Sequence, residues 1–493
     1  MQLSKSDYML FLRHPAWLWL KKHNKSKLPA VDAALQAMFD DGHLFEEYAD
    51  RLFPDAVTVG FSFADNNYRS MPSRTKEVLE SGAKTIFQGR LETKDITCIF
   101  DVVERVEGNT FDLIEIKSST EVKDDHISDL AFQTIVLEEC GLSIRKIFVI
   151  HVNNEYIRHG EIDIREFTSR EDVTERVRDS IPDTEEGIEK ALKVAHSTSA
   201  PDYSPRHTGN GALSEWMDIY HLLFPEKHNH SIFKLTRINA KLIGQFEDLG
   251  IERIQDIPET IELNEKQLRQ VKVTKENARI IKKEKIQQFL KDLIFPLYFL
   301  DYETFKSVVP PFDGTKPYQQ IPFQYSLHKL DKEGVLTHTE YLHLEQSNPT
   351  LSLIKQLVKD IGTSGTVLVW YESFEKGRNK ELGEMYPEYK DAMEKINSRV
   401  VDLIIPFAEG WYVDKDFFGS ASIKKVMPVL ITDLSYDKLL IQEGEGASRE
   451  WTETIFEGKN KEKREIIVQA LREYCRLDTL AMVQLYKFLQ NEV

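Results

Sequence analysis

The sequence predicts an α/β protein of several domains. At 493 residues the chain exceeds what one hydrophobic core usually organises, so two or three domains of ordinary size are expected. Segments in which β-branched and aromatic residues alternate with polar ones, as in strands, are interspersed with segments of helical spacing. Hydrophobic residues make up 41% of the chain, which suffices to fill such cores and excludes a largely disordered protein.

The N-terminal part of the chain predicts an α/β unit. Ser4 lies three residues before Asp7 in the pattern of a helix start, and Pro15 divides the aromatic-rich stretch that follows into two short helices. The later elements follow from hydrophobic periodicity. They are a helix near 32–53, strands near 57–63, 97–106 and 110–117, a helix near 124–140, a strand at 146–152 and exposed helices across 168–195.

The middle of the chain predicts a linker followed by helices. Pro, His, Gly and Ser become frequent from 198 to 230, which marks a linker or an irregular subdomain. Residues 232–292 predict helices joined by short turns. They form either a plain helical spacer or a segment that resembles the small helical hairpins that hold nucleic-acid backbones.

The C-terminal part predicts a mixed α/β sheet, because strands come first and strands then alternate with helices. The predicted elements are a strand from Phe295, strands at 321–330 and 335–344, a helix at 349–361, a strand at 366–371 and further helices. We therefore expect domains at 1–197, 198–292 and 293–493.

The charge balance points away from a protein that coats nucleic acid nonspecifically. The chain has 81 acidic and 64 basic residues, for a formal net charge of −17. An acidic protein can nevertheless have a basic groove, and its carboxylates can serve as metal ligands. The segments 21–27 and 275–285 are candidate basic surfaces, or simply solvated helix faces.

The composition predicts a cytoplasmic protein that does not enter a membrane. No run of about 18 uncharged apolar residues occurs, and the first residues lack a basic region followed by an apolar one. Cys98, Cys140 and Cys475 are far apart and odd in number, so we expect buried reduced thiols instead of a disulfide framework.

A first group of chemically suitable residues lies on two predicted strands. Residues two apart in a strand share a face, so Glu115 and Lys117 lie side by side while Ile116 faces the core. A hairpin brings Asp101, on the preceding strand, close to Glu115. Two carboxylates can hold Mg²⁺ or Mn²⁺, and a lysine beside them can orient or help to activate the attacking water on a phosphodiester.

This arrangement of Asp101, Glu115 and Lys117 resembles the PD-(D/E)XK nuclease superfamily. His43 and Gln133 lie in the order of its RecB-like, CRISPR-associated branch. The resemblance implies a restriction-endonuclease-like α/β core, with His43 as a further metal ligand and Gln133 contacting the catalytic site from the helix after the strand.

The chain departs from that branch in two places. Relatives often carry a tyrosine a few residues after the glutamine, where this helix continues with Thr134-Ile135-Val136-Leu137. Many also bind an iron–sulfur cluster, yet His14 stands where the first cysteine is expected and 198–230 contains no cysteine. We therefore expect no iron–sulfur cluster.

A second group lies in the C-terminal part. Asp301 and Glu303 project from one face of a predicted strand, and Tyr474 and Asp478 share one face of a predicted helix. Glu375 lies between them in sequence, in a strand that runs into a helix. Carboxylates from such elements can together hold two divalent ions that stabilise the attacking and leaving oxygens, while Tyr474 positions the water.

The second group resembles the tyrosine-bearing variety of the DEDD exonuclease superfamily, which has the RNase H-like fold. The resemblance implies Asp301, Glu303, Glu375 and Asp478 as metal ligands, although an aspartate is usual where Glu375 stands. Asp402 and Asp433 are fallback ligands or ordinary capping and surface acids. The order of both modules around a helical middle resembles a bacterial family of uncharacterised proteins that fuse a RecB-like nuclease to a DEDD-type domain.

These resemblances favour a Mg²⁺- or Mn²⁺-dependent nuclease that cuts DNA or RNA. Two alternatives remain open at this stage. One is a nucleic-acid-binding protein in which one nuclease site is degenerate, and the other is a subunit of a defence or repair assembly whose acidic surface meets a protein partner.

Overall fold

A computed structural model describes residues 1–61, 66–225 and 230–493 of the chain, and the side chain of Ala34 is not described. The chain is a mixed α/β protein with several mixed sheets, as predicted. It divides into two units. The N-terminal unit comprises Met1–Lys227, Asn239–Gly244 and Ser307–Tyr318, and the C-terminal unit comprises His228–Ile238, Gln245–Lys306 and Gln319–Val493. The predicted middle segment, 198–292, has residues in both units.

The N-terminal unit alternates helices and strands. Its elements up to residue 223 are β1 (Leu3–Ser4), α1 (Lys5–Arg13), α2 (Pro15–His23), α3 (Ala33–Ala49), β2 (Val57–Thr58), α4 (Met71–Glu80), β3 (Thr85–Phe87), β4 (Arg90–Glu92), β5 (Ile96–Ile99), β6 (Val102–Glu107), β7 (Thr110–Lys117), α5 (Asp124–Glu139), β8 (Ser143–Val152), α6 (Ile164–Phe167), β9 (Thr168–Asp172), α7 (Thr174–His196) and α8 (Leu213–Leu223). The two helices predicted on either side of Pro15 are present, and Ser4 and Asp7 form the predicted capping box of α1.

A six-stranded sheet in the order β2-β3-β6-β7-β8-β9 forms the centre of the N-terminal unit. Strands β6 and β7 are antiparallel, whereas β7 and β8 are parallel. A parallel pair needs a crossover connection, and α5 supplies it between β7 and β8. Residues of α5 such as Phe132 and Val136 are fully buried in the core together with Phe111 of β7. The sheet and α5 therefore position the C-terminal end of β7.

The strand predicted at 97–106 is divided by the structure, and Asp101 lies in the break. Strand β5 belongs to a small sheet with β1 and β4, whereas β6 belongs to the six-stranded sheet. The Asp101 carboxylate accepts a hydrogen bond from the Ile116 backbone at 2.8 Å, and Phe100 turns against Gly89, where a Cβ would lie 2.3 Å from the ring. These two interactions explain the break.

Two other predicted elements differ from the observed ones. The segment 168–195 begins with β9, which pairs antiparallel with β8 before α7 starts, because sheet pairing overrides the local helical pattern. The strand predicted at 57–63 spans only Val57–Thr58, and residues 62–63 lie outside the described residues.

Residues 307–318 lie between two strands of the C-terminal unit in sequence but belong to the N-terminal unit. Val308 is fully buried in a cluster with Phe45 and Phe167. Arg158 Nη1 donates to the carbonyl of Pro310 at 2.9 Å, among other backbone hydrogen bonds to this segment. The segment therefore completes the core of the N-terminal unit.

The remaining elements run from the middle of the chain into the C-terminal unit. They are α9 (Ala240–Asp248), α10 (Glu265–Glu276), β10 (Ile280–Ile281), α11 (Lys283–Lys291), β11 (Leu297–Phe305), β12 (Ile321–Leu330), β13 (Leu336–Leu342), α12 (Thr350–Asp360), β14 (Thr366–Val369), α13 (Glu372–Met385), α14 (Lys390–Asn397), β15 (Val400–Asp402), α15 (Ile405–Ala408), β16 (Tyr412–Val413), α16 (Ile423–Leu430), α17 (Gly444–Trp451) and α18 (Arg464–Glu492).

A five-stranded sheet in the order β13-β12-β11-β14-β15 forms the centre of the C-terminal unit. Strands β11, β12 and β13 are antiparallel, whereas β14 and β15 run parallel to β11. Helix α18 packs on β11 and β12, where Gln324 donates to the Leu471 carbonyl at 3.0 Å and Ser326 bonds Thr479 at 2.7 Å. Acids at the C-terminal half of β11 therefore face the middle of α18.

Among the described residues, no helix has the length and apolar character needed to cross a membrane.

Candidate active sites

The first cluster gathers at the C-terminal end of β7. Glu115 is fully buried and shares a strand face with Lys117, whose Nζ donates to Glu115 Oε1 at 2.6 Å. Gln133 reaches the same carboxylate from α5, with Nε2 donating to Glu115 Oε2 at 2.8 Å. The structure thus brings three of the residues predicted for this site into direct contact.

Asp101 and Glu115 are electrostatically different acids. Burial, and then the neighbouring Glu115, raise the pKa of Asp101 to about 8. Burial would also raise the pKa of Glu115, but the ammonium groups of Lys117 and Lys5 hold it well below its usual range. The two ammonium groups therefore favour the anionic form of Glu115, whereas burial favours the protonated form of Asp101.

Two residues of this cluster were missed by the sequence prediction. Lys5 Nζ, from α1, donates to Glu115 Oε1 at 2.9 Å and lies 3.3 Å from Asp129 Oδ1. Asp129 also accepts from Gln133 Nε2 at 2.8 Å and from Lys117 Nζ at 3.2 Å. Asp129 precedes Gln133 by one helical turn, a spacing that could have identified it. Lys5 carries no local signal, because only the tertiary fold brings α1 to β7.

His43 lies near the first cluster but not within it. It is exposed on α3, and in the described part of the chain it makes no hydrogen bond or ion pair with Asp101 or Glu115. Glu46, one helical turn after His43, interacts electrostatically both with His43 and with Glu115 of the first cluster. Burial raises its pKa, His43 opposes that rise, and Glu115 adds to it.

His14, at the position where the resemblance expects a cysteine, has a structural role. Its Nδ1 accepts from the Ala16 backbone at 3.0 Å and caps α2, while its Nε2 bonds the Ser204 carbonyl at 3.0 Å. The ring stacks on Trp216 with centroids 3.8 Å apart. Burial lowers the pKa of His14 to about 4, so a neutral imidazole joins α2 to the segment that follows α7.

The second cluster combines β11 with α18. One ligand atom each of Asp301, Glu303 and Cys475 lies within 4.8 Å of the other two. The Cys475 thiol donates a weak hydrogen bond to Asp301 Oδ2 at 3.9 Å. Burial, and then Asp478, raise the pKa of Asp301 well above its usual range, and burial followed by Asp301 does the same for Glu303. As anions these acids repel one another, so their shared burial favours the protonated forms.

Asp478 completes the acid group from α18. Its carboxylate accepts a hydrogen bond from the Tyr436 hydroxyl. Burial raises the pKa of Asp478 to about 6, although the hydroxyls of Tyr436 and Tyr474 and the ammonium of Lys424 oppose the rise. Tyr474 is buried one helical turn before Asp478.

Glu375 belongs to the second cluster despite being longer than the expected aspartate. It is only 2% exposed on α13, and its Oε2 has no hydrogen-bond partner among the residues that the structure describes. Burial, and then Asp301, raise its pKa to about 9. A buried carboxylate oxygen without a donor, beside other acids, is the kind of group that a cation would satisfy.

The structure favours the alternative interpretations of the two fallback ligands, Asp402 and Asp433, as a capping acid and a surface acid. Asp402 accepts backbone hydrogen bonds from Tyr371 at 3.2 Å and Glu372 at 2.8 Å, so it caps the start of α13, which was its alternative interpretation. Asp433 is exposed, and the structure does not bring it to the acids of β11.

We expect Glu375→Gln to raise the melting temperature of the metal-free protein at pH 8, and to raise it less at pH 5. The folded protein holds a proton at Glu375 up to about pH 9, whereas the unfolded chain releases it near its ordinary pKa. Stability therefore falls as pH rises between these two values, and glutamine removes this loss, which is worth at least about 1 kcal/mol or ~3 °C.

The measurement is thermal unfolding in chelator at both pH values. Glu388→Gln, which changes an exposed acid of the same unit, is the matched control and should leave the melting temperature unchanged. An equal effect of Glu375→Gln at pH 5 and pH 8 would contradict the raised pKa.

Three more residues of the second cluster escaped the sequence prediction: Lys424 of α16, Tyr436, and Gly444 at the start of α17. The Lys424 ammonium lies 5.3 Å from the ring centroid of Tyr474. A Cβ at Gly444 would lie 3.7 Å from Glu303 Oε2 and 3.9 Å from the Tyr474 hydroxyl. These residues come from a stretch of weak periodicity, so only the fold relates them to the acids.

The donor atoms of the second cluster fit a hard divalent cation. Mg²⁺ and Mn²⁺ prefer oxygen ligands, which Asp301, Glu303, Glu375 and Asp478 supply. The Cys475 thiol is a poor ligand for such ions, and its hydrogen bond to Asp301 gives it a supporting role. At the first cluster, by contrast, the ammonium groups of Lys5 and Lys117 already contact the Glu115 carboxylate.

Comparison with known proteins finds a similarity between one stretch of the chain and a domain family. Residues 298–422 match the family model of a domain of unknown function, DUF2779. This range includes three acids of the second cluster, Asp301, Glu303 and Glu375, whereas Asp478 lies beyond it.

Two uncharacterized proteins are similar to this chain. One, from Mycoplasma genitalium, is 25% identical over 214 residues, which cover 39% of this chain and 32% of the relative. The other, from Ureaplasma parvum, is 24% identical over 232 residues, which cover 42% of this chain and 34% of the relative. The chain thus matches about a third of the length of either relative.

Proposed function

We propose that this protein is a metal-dependent nuclease that hydrolyses phosphodiester bonds of DNA or RNA. In this proposal the C-terminal unit carries a 3′–5′ exonuclease site and the N-terminal unit a PD-(D/E)XK nuclease site. The observation that carries it is the second cluster, in which Asp301 and Glu303 of β11 lie together with Cys475, each with one ligand atom within 4.8 Å of the other two. Glu375 of α13 and Asp478 of α18 are further acids whose pKa values are raised by burial. Such a set is most stable with a divalent cation among its members.

The fold of each unit supports the resemblance on which the proposal draws. In the C-terminal unit, three antiparallel strands are followed by two parallel ones, and the acid-bearing β11 lies at the centre. This arrangement is compatible with an RNase H-like fold. In the N-terminal unit, a β6–β7 hairpin followed by α5 and the parallel strand β8 supports a restriction-endonuclease-like core.

At the second cluster, Asp301, Glu303, Glu375 and Asp478 would hold the ions. Bound Mg²⁺ or Mn²⁺ would supply Lewis-acid activation of a water and stabilisation of charge on the phosphate. The Tyr474 hydroxyl, which lies beside Asp478, would orient that water. The water oxygen would attack the phosphorus of the last phosphodiester and lose a proton to solvent, the bond from phosphorus to the 3′ oxygen would break, and the leaving oxygen would take a proton from solvent.

At the first cluster, Asp101 and Glu115 would hold the ion, and Lys117 would act on the water. The Lys117 ammonium is fixed between Glu115 and Asp129, so it presents its charge at a defined place. Gln133 keeps Glu115 oriented through the hydrogen bond from α5. The outcome would again be attack of water on phosphorus, in which the water loses a proton to solvent and the released ester oxygen takes one up.

The test is cleavage of end-labelled single- and double-stranded DNA and RNA with Mg²⁺ or Mn²⁺. Wild type, Lys117→Ala, Asp301→Ala and the double variant are compared, with Asp391→Asn as a control because Asp391 is an exposed acid on α14. We expect each single variant to lose a different set of products and the double variant to be inert. Absence of wild-type cleavage on every substrate with both metals would overturn the proposal.

A second candidate function is a protein with one active site and one nucleic-acid-binding site, and Lys5 is the observation that favours it. The Lys5 ammonium contacts Glu115 and Asp129 at the position where a cation would bind. A divalent ion on Glu115 must therefore displace Lys5 or share the carboxylate with it. Under this candidate, Lys117→Ala leaves all cleavage products unchanged and weakens only the binding of nucleic acid.

A further inference from the structure

We propose that Lys424 binds a phosphate of the nucleic-acid strand and positions the strand over the carboxylates of the second cluster. This inference rests on the proposed function of the C-terminal unit, and it assigns a substrate-contacting role to a residue outside the predicted ligand set.

Lys424 is a cation that several acids of the second cluster share. Its charge opposes the rise in the pKa values of Asp301, Glu303 and Asp478. Its Nζ lies 5.3 Å from the ring centroid of Tyr474 and 5.5 Å from that of Tyr436. The two aromatic faces thus hold the ammonium beside the acids.

The Lys424 ammonium retains capacity for an anionic ligand. Within the described part of the chain it donates one hydrogen bond, to the Gln442 carbonyl at 2.9 Å, and an ammonium has three protons to donate. In the described ranges of the chain it forms no ion pair within 4.0 Å. The lysines of the first cluster differ, because Lys5 and Lys117 each contact two carboxylates directly.

Divalent ions at the second cluster would change the electrostatic environment of the Lys424 ammonium. Without them the acids attract the ammonium, and with them the charge of the acids is largely neutralised. A phosphodiester that enters the site then becomes its strongest electrostatic partner, and a partly exposed lysine on a flexible side chain can reach it. The same residue would therefore stabilise the empty site and hold the substrate in the loaded one.

The test is the salt dependence of binding. A fluorescein-labelled single-stranded oligonucleotide with a free 3′ hydroxyl, made as DNA and as RNA, is titrated in saturating Ca²⁺ and followed by anisotropy. Wild type is compared with Lys424→Gln, Lys424→Arg and Lys425→Gln. Lys425 is exposed on the same helix and provides the matched control for loss of one positive charge.

We expect Lys424→Gln to weaken binding about fivefold and to reduce the slope of log affinity against log salt by ~0.7, the value for one phosphate contact on a single strand. Lys424→Arg should restore the slope, and Lys425→Gln should match wild type. In Mg²⁺ the KM of Lys424→Gln should rise more than its kcat falls. Melting temperatures of all variants show whether each is folded.

The outcomes separate this inference from the proposed function. A Lys424→Gln slope equal to that of wild type overturns the role of Lys424, whatever the activity. Wild type that binds the oligonucleotide with the expected slope difference but cleaves nothing in Mg²⁺ or Mn²⁺ supports the phosphate contact and overturns the nuclease. Wild type that binds neither oligonucleotide overturns the phosphate contact, and the cleavage assay then decides the nuclease alone.

Discussion

Asp301→Asn should reduce the release of nucleotides from a 3′ end about 10³-fold while leaving the protein folded. The loss corresponds to several kcal/mol of transition-state stabilisation that the bound ions would no longer provide. Folding should not suffer, because asparagine has the same shape and removes an acid that burial and Asp478 disfavour as an anion. The measurement is single-turnover cleavage of a 3′-labelled strand in Mg²⁺, together with the melting temperature in chelator.

Asp391→Asn is the control for this prediction, since it removes an acid of the same unit that is exposed on α14. It should behave as wild type in both measurements. If Asp301→Asn retained full activity while remaining folded, the second cluster would be a buried acidic group with no part in cleavage.

Lys117→Ala should reduce cleavage by the N-terminal unit by about 10²–10³-fold, the range for loss of a residue that acts on the attacking water. It should also lower the melting temperature, because Glu115 and Asp129 lose one of their two cations in a buried setting. The measurement uses the Asp301→Asn background, so that all remaining products come from the first cluster.

Because Lys117→Ala is itself expected to destabilise the protein, the comparison needs a second variant at this position that remains folded. Lys117→Arg keeps the charge and most of the stability but alters the position of the donor atoms, so it should remain folded and recover little activity. Lys94→Ala, at an exposed turn, is the control for loss of a lysine. If the protein with both Asp301→Asn and Lys117→Ala cleaves as fast as the protein with Asp301→Asn alone, the first cluster has a binding role and not a catalytic one.

The sequence predicted the architecture well for those elements whose residue spacing alone indicates a helix, a strand or a turn. The capping box of α1, the hairpin β6–β7, the crossover helix α5 and the central strand β11 each follow from local spacing. The break at Asp101 and the short strand β9 were missed, because both depend on partners elsewhere in the fold: the Ile116 backbone for Asp101, and β8 for the strand.

The candidate sites show the same limit. Acids two apart in a strand, or groups four apart in a helix, are visible in a sequence, and this rule identified Glu115, Asp301 and Asp478. Lys5 and Lys424 could not be found in this way. Each is a cation supplied by a different element, and its meaning depends on the carboxylates that the fold brings to it.

Because the segment 307–318 belongs to the N-terminal unit, the chain cannot be divided into its two units by a single cut in the gene. Its apolar and backbone groups complete the N-terminal core, while the strands on either side of it belong to the other unit. A gene fragment that ends at residue 292 would leave a hole where Val308 packs, and one that begins there would display the same residues to solvent. We therefore expect each truncated chain to aggregate, and the two units to be lost or transferred together when the gene is rearranged.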